Sequence, residues 1–442
     1  MRSSEAQPPL PGGAAGPPLP PPPGGTGAPL WRGAGRRAIV AWVLYDFANS
    51  IYPAVITTAV FSVYFAKVVV GNDQGLGDLW WGRVLSLSMA VVALTSPVMG
   101  SIADRGGLKK LLLGVYTAVC VVAVALFTTI RPGDLLWAFL LAVVANIGFE
   151  GALVFYNAYL PELAPKSHHG RLSGIGFGVG YLGSIAGLLL ALPLVQAERY
   201  AAIWWTVALF FAAGAVPCLL WLPPPAAPPR LAPLAAAADG LRQVGGLLRE
   251  VAAMADLRRF LIAYFLYIDG VTTAMYFTGI YAATTLGFAG SELIGLFVVV
   301  QLSALIGAFL LAVPTDRWGP KPVVSLTLIA WTAITIAVYF VDTKPTFFAV
   351  IVFAGTGLGA IQAASRAFIS RLTPPGKEGE VFGFYALCGK SSAILGPLLL
   401  GTVSHALGGN QRVALQSLSI FFVAGLLLLQ RVSGQAGSGL ED

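Results

Sequence analysis

Charge is scarce in this chain of 442 residues: 11% are Asp, Glu, Lys or Arg, against about 25% in a soluble globular protein. That shortage excludes a water-soluble fold. Cysteine is rarer still, and Cys120, Cys218 and Cys388 each fall inside an apolar run, where a thiol behaves as a small apolar side chain. No disulfide framework follows. The three histidines, His168, His169 and His405, have no Cys or carboxylate at ligand spacing, so the pattern calls for no metal and no cofactor. What the chain has in abundance is apolar sequence, 57% of residues with a mean hydropathy of +0.78. A helix that crosses a bilayer needs about 20 apolar residues. Membrane β-strands would alternate in polarity over about ten residues, whereas the runs here are continuous. The reading is an all-α integral membrane protein that crosses the bilayer many times.

Residues 1–37 hold 10 of the 30 prolines, a composition that cannot bury a core, and are read as a Pro/Gly-rich cytoplasmic tail. Spans are expected near 38–66, 80–103, 111–130, 134–160, 173–195, 200–222, 259–284, 291–313, 322–341, 345–370, 381–404 and 413–431. They form an N-terminal bundle of six (38–222) and a C-terminal bundle of six (259–432). A cytoplasmic linker (223–258) joins the bundles and a short tail (433–442) follows. Basic residues collect on the cytoplasmic side of membrane proteins. With both termini cytoplasmic, 20 Lys and Arg fall inside and six outside, and without the linker the count is still 15 against six. Scattered as they are in loops, these charges do not read as a nucleic-acid surface; an inner or plasma membrane, if the source is bacterial, is the expected location.

The halves repeat. Gly100-Ser-Ile-Ala-Asp104-Arg105-Gly-Gly107-Leu-Lys109-Lys110 follows the second span, and Asp316-Arg317-Trp-Gly319-Pro-Lys321 follows the eighth. Leu163-Ala-Pro165 likewise returns as Leu372-Thr-Pro374. Internal duplication of this kind marks carriers that expose one central site to each side in turn. The first loop resembles the cytoplasmic signature of the major facilitator superfamily; the second copy departs from it, with Ala312 in place of the expected Gly. Further stretches, Trp42-Val-Leu-Tyr-Asp46-Phe-Ala-Asn49-Ser50, Phe155-Tyr-Asn157-Ala-Tyr-Leu-Pro161, Tyr264-Phe-Leu-Tyr-Ile-Asp269-Gly270, Gln362-Ala-Ala-Ser365-Arg366 and Phe382-Gly-Phe-Tyr-Ala-Leu-Cys-Gly389-Lys390, resemble the unknown-major-facilitator family, which is related to fungal autophagy-associated vacuolar amino-acid effluxers. The resemblance implies the major facilitator fold, twelve helices in two pseudo-symmetric bundles. It also implies efflux or exchange of small solutes such as amino acids, and a gating role for Gly100, Asp104, Arg105, Gly107, Lys109, Lys110, Asp316, Arg317 and Gly319.

An ionisable side chain inside a span is expensive and marks a functional site by default. Five qualify: Asp46, Glu150, Asp269, Arg366 and Lys390. The first four lie one each on spans 1, 4, 7 and 10, which the resemblance makes the cavity-lining helices. Helical spacing sets Asp46 with Asn49 and Ser50, and Glu150 with Asn146 and Asn157. It likewise sets Asp269 with Thr272, Thr273 and Tyr276, and Arg366 with Gln362 and Ser365. Arg366 suits an anionic group such as a carboxylate. Two readings of the charges stay open: substrate and coupling residues, or structural pairs such as Asp269 with Arg366 and Glu150 with Lys390. Three acids against two bases leave one carboxylate over, and a buried unpaired acid tends to bind a proton, so proton coupling through Glu150 is expected. The function that follows is secondary transport of a small solute by a lipid-embedded monomer. Its rivals are a transport-inactive scaffold or sensor and, further off, an integral-membrane enzyme.

Small-residue patterning has its own meaning. Gly178-Val-Gly180-Tyr-Leu-Gly183 imitates a dinucleotide fingerprint, but it lies inside an apolar span, and Gly176, Gly180, Gly183 and Gly187 make one flat helix face suited to close packing.

Overall fold

The computed structural model describes residues 35–163, 169–223, 253–373 and 378–433, with isolated positions of the linker. Among these, twelve helices are long and apolar enough to cross a membrane: α1 (Arg36–Val70), α2 (Asp73–Ala103), α3 (Lys109–Thr129), α4 (Leu135–Asn157), α5 (Gly178–Gln196), α6 (Tyr200–Trp221), α7 (Ala255–Thr284), α8 (Gly290–Trp318), α9 (Pro320–Val338), α10 (Lys344–Leu372), α11 (Val381–Ala406) and α12 (Gln411–Gln430). All twelve expected spans are present. One end of the bundle carries the chain's entry and exit, and the other, called distal here, carries the α1–α2, α3–α4 and α5–α6 turns and their C-terminal counterparts. Leu94, Phe309, Phe340 and Phe353 stand exposed on the rim. Such an apolar exterior fits lipid, which exerts no hydrophobic penalty on it.

Several spans depart from regular winding, and in two of them a proline supplies a local reason. In α1, Pro53 has no N–H to give, and the turns Tyr52–Ala59 are π-wound, with Thr57 and Thr58 returning their hydroxyls to the Pro53 carbonyl at 2.9 Å each. This winding sets the Thr58 carbonyl against Gly279 of α7, where a side chain would overlap it. In α11 the helix stops at Ser392 and restarts at Leu395. Pro397 is the cause, because its ring clashes with the carbonyl four residues back, that of Ala393, and it offers no hydrogen bond in return. The span expected over 381–404 is present as Val381–Ala406, with this break inside it.

Where side chains must be absent, backbones touch. Gly176 and Gly180 pack on Trp42, Asp46 and Ser50, and Gly183 and Gly187 on Phe47 and Ile51. The glycine face of the fifth helix therefore docks on α1, as the spacing implies. A Cβ at Gly183 would overlap the Phe47 carbonyl, whereas one at Gly178 would meet nothing. Gly183→Ala is accordingly expected to destabilise the protein by about 1–3 kcal/mol and Gly178→Ala to leave it unchanged, read as midpoints of thermal unfolding in detergent.

Candidate substrate and coupling site

Asp46 lies half-buried on α1, and its Oδ2 is 3.3 Å from where a Cβ of either Gly176 or Gly180 would stand. Trp42, one turn earlier, stacks on Tyr156 of α4 with ring centres 4.5 Å apart and planes 8° from parallel, and its Nε1 donates to the Tyr156 carbonyl at 3.1 Å. Among the described residues, two buried polar atoms in this region, Asn49 Nδ2 and the Tyr156 hydroxyl, have no hydrogen-bond partner. From the other half, the half-buried Arg366 of α10 reaches into the electrostatic field of Asp46, Tyr181 and Tyr385. An acid of the first six helices and a base of the last six are thus near enough for their charges to interact.

Glu150 and Lys390 form a second link between the halves. Lys390 Nζ lies 2.8 Å from Glu150 Oε2 and donates also to the Glu150 carbonyl at 3.0 Å. The two side chains are 12% and 17% exposed, so the pair is largely removed from water. In this conformation the ion-pair reading of Glu150 is the one observed.

Among the described residues, Asp269 makes no ion pair. It is fully buried on α7 and accepts from the Gly396 N–H at 2.7 Å and from the Thr273 hydroxyl at 3.3 Å. The pairing with Arg366 considered from sequence is absent, because the restart of α11 supplies donors closer at hand.

The remaining candidates separate. Asn146 donates to Ser88 of α2 at 2.6 Å, and Ser365 shares a 2.7 Å hydrogen bond with the Tyr267 hydroxyl; both tie helices within one half. Gln362 is half-buried on the face of Arg366. Asn157 is exposed at the end of α4, about 10 Å along the helix from Glu150 at 1.5 Å per residue, and so is not part of the stripe that spacing suggests.

The loop signatures prove to be matched devices. Gly107 and Gly319 adopt φ of +67° and +90°, left-handed values that only glycine takes without strain. The following lysines reach the last carbonyls of the sixth helix of their own half: Lys110 donates to Leu222 at 2.9 Å, and Lys321 to Val432 at 2.6 Å and Gln430 at 3.1 Å. Lys109 pairs with Glu162 at 2.6 Å. Gly100 borders open space, and Asp316 and Arg317 are exposed; the side chains of Asp104 and Arg105 lie outside the described residues. A cation at a helix C-terminus stabilises by about 0.3–1 kcal/mol. Lys110→Met and Lys321→Met should each lower the unfolding midpoint by a similar amount, and the double variant by their sum, since the sites are independent.

Sequence reasoning missed Asp78. It is fully buried near the distal end of α2, and accepts from Ser404 at 2.6 Å, from Gln411 Nε2 at 2.8 Å to each oxygen, and from Asn72 at 3.3 Å. Gln411 in turn accepts from Thr284 and Thr285 at 2.6 Å each. One carboxylate thereby fastens the first half to α7, α11 and α12. The expected start of the second span at residue 80 places it outside the helix; the amphipathic turn Leu76-Gly77-Asp78-Leu79 was the available signal. Further hydrogen bonds between the halves run from Lys67 to the Ala283 carbonyl at 3.3 Å, between His405 and the Gln74 carbonyl at 3.0 Å, and from Ser86 to the Ile394 carbonyl at 2.7 Å. The halves are closed together distally.

Comparison with known proteins agrees with this architecture. The family described as "Vacuole effluxer Atg22 like" matches residues 83–439. An uncharacterized MFS-type transporter, YxiO, of Bacillus subtilis is 30% identical over 91% of this chain and 96% of its own. Autophagy-related protein 22 of Yarrowia lipolytica is 24% identical over 72% and 69%. Among solved structures, the nucleoside transporter NupG superposes with a TM-score of 0.63 at 17% identity, covering 90% of this chain and 98% of that one. A D-xylose–proton symporter gives 0.61 at 17% identity, covering 91% and 98%.

Proposed function

As a member of the Atg22-like vacuole effluxer family, the chain is an integral membrane transporter of the major facilitator type, and on that premise we propose that it moves a small zwitterionic solute by alternating access, coupled to protons. The observation that carries this reading is the half-buried placement of one acid and one base on opposite halves, Asp46 on α1 and Arg366 on α10, near enough for the guanidinium charge to bear on the carboxylate. A solute with an ammonium and a carboxylate group would meet Asp46 with the first and the guanidinium fork of Arg366 with the second. Asn49 Nδ2 and the Tyr156 hydroxyl, buried without partners among the described residues, are donors such a solute can satisfy, and buried donors are costly to leave unpaired. Gln362 borders the same face.

Proton coupling rests on Glu150. Its partner Lys390 belongs to the other half, so rocking of one half against the other separates them, and a buried carboxylate deprived of its cation binds a proton instead. The two loop signatures, Gly100 to Lys110 and Asp316 to Lys321, act as gates on the side of the chain termini, taken as cytoplasmic. On that orientation the distal closure is closure on the outward side, one of the end states that alternating access requires. Counterflow of labelled zwitterions and of neutral sugars and nucleosides into proteoliposomes tests the substrate class: exchange of zwitterions alone supports it, and exchange confined to neutral solutes refutes it.

A further inference from the structure

The two halves place an acid at comparable points of their first helices, Asp46 on α1 and Asp269 on α7, each against a glycine of the fifth helix of its half, Gly180 and Gly396. Their surroundings differ in the helix each faces. The fifth helix of the first half runs unbroken through Gly180, so all its amides there are engaged in the helix. Its counterpart α11 is interrupted, and the restarted segment Leu395–Ala406 opens with unsatisfied N–H groups. The residue at its cap position, Ile394, has no side chain that could accept from them. Pro397 removes one donor, and Gly396 donates to Asp269 from across the helix interface at 2.7 Å. A Cβ on Gly396 would overlap both Asp269 and Thr273, so the contact requires glycine there.

The break also touches the other half. The Ile394 carbonyl, released from its helical partner, accepts from Ser86, and the Pro397 carbonyl lies where a side chain on Gly82 would stand. Lys390, in the last turn before the break, holds Glu150. We propose that Asp269 is a positioning residue: by capping the second segment of α11 it fixes the break, and through the break it sets Lys390 opposite Glu150. Asp269 then acts on transport without touching the solute, whereas Asp46, with no such helix end before it, keeps its carboxylate for the solute.

Hydrogen exchange of peptides spanning residues 393–400 tests the cap directly and does not depend on the transport reading. Asp269→Ala is expected to speed exchange there by about tenfold, the size of effect that loss of a capping group produces. Asp269→Asn, which keeps an acceptor oxygen, should stay within about threefold of the parent. Gly396→Ala leaves the carboxylate present but displaces it, and should match Asp269→Ala; it also covers the case in which Asp269→Ala does not fold. The transport arm rests on the reading above: Asp269→Ala should lower turnover with KM unchanged, and Asp269→Asn should restore most of it. Unchanged exchange in Asp269→Ala or Gly396→Ala overturns the proposal. So does an Asp269→Asn protein that exchanges normally at 393–400 yet has lost its affinity for the solute, which would make Asp269 a ligand.

Discussion

Replacing Glu150 by glutamine is expected to abolish accumulation driven by a pH gradient while leaving exchange of solute across the membrane in place. Glutamine resembles the protonated acid and cannot lose a proton, so the cycle keeps its binding and reorientation steps and loses its drive. The substitution also leaves Lys390 without its carboxylate. Breaking a largely buried pair by removing one partner costs about 3–5 kcal/mol, and the 2.8 Å contact spans the two halves, so the distal-closed state should be selectively weakened. Adding Lys390→Met to Glu150→Gln removes the orphaned cation and should recover most of the thermal stability without recovering uphill transport. That separation distinguishes the two roles the pair could have. A double variant that is stable and still concentrates solute would show the pair to be a strut alone, and gradient-driven uptake by Glu150→Gln would exclude Glu150 as the obligatory proton carrier.

The next largest effect is expected at Asp46 and Arg366. Loss of a hydrogen bond to a charged group costs about 1.5–3 kcal/mol, equivalent to about tenfold to a hundredfold in affinity. Asp46→Asn should weaken solute binding by that factor. Arg366→Lys keeps the charge but loses the planar fork, and should fall in the same range, while Ser365→Ala, whose hydroxyl is engaged with Tyr267, should leave affinity nearly unchanged. Equilibrium binding of the labelled solute in detergent measures all three. Arg366→Lys with normal affinity would remove Arg366 from recognition of the solute.

Much of this was legible from residue order because lipid imposes a simple rule: continuous apolar runs become helices that satisfy their own backbone. The glycine ladder Gly176 to Gly187 announced a close helix contact, and the structure supplies α1 as the partner. The duplicated loops were legible as a repeat, but their shared physical act, Lys110 and Lys321 closing the ends of α6 and α12, depends on which helix end folds back beside them. The break in α11 was written in Gly396-Pro397, yet a proline within an apolar run is tolerated in many membrane helices, so only the geometry shows the helix stopping. Asp269 was counted as a candidate for solute binding because spacing reveals which residues share a face and not what the facing helix offers. Asn157 failed for a related reason: the stripe continues past the point where α4 leaves the bundle interior.

The central claim is that the two halves rock about the region between them, exchanging the distal closure around Asp78 for closure at the opposite end. It is tested most directly by paired spin-label distances in a background lacking Cys120, Cys218 and Cys388. One pair sits at the exposed distal positions Leu136 and Phe340, the other at Leu111 and Leu326 near the opposite end. On protonation and with solute present, the account predicts that the distal pair separates while the other pair draws together, and that Glu150→Gln shifts the populations the same way without acid. Distances at both ends that stay fixed under conditions of active transport would contradict it.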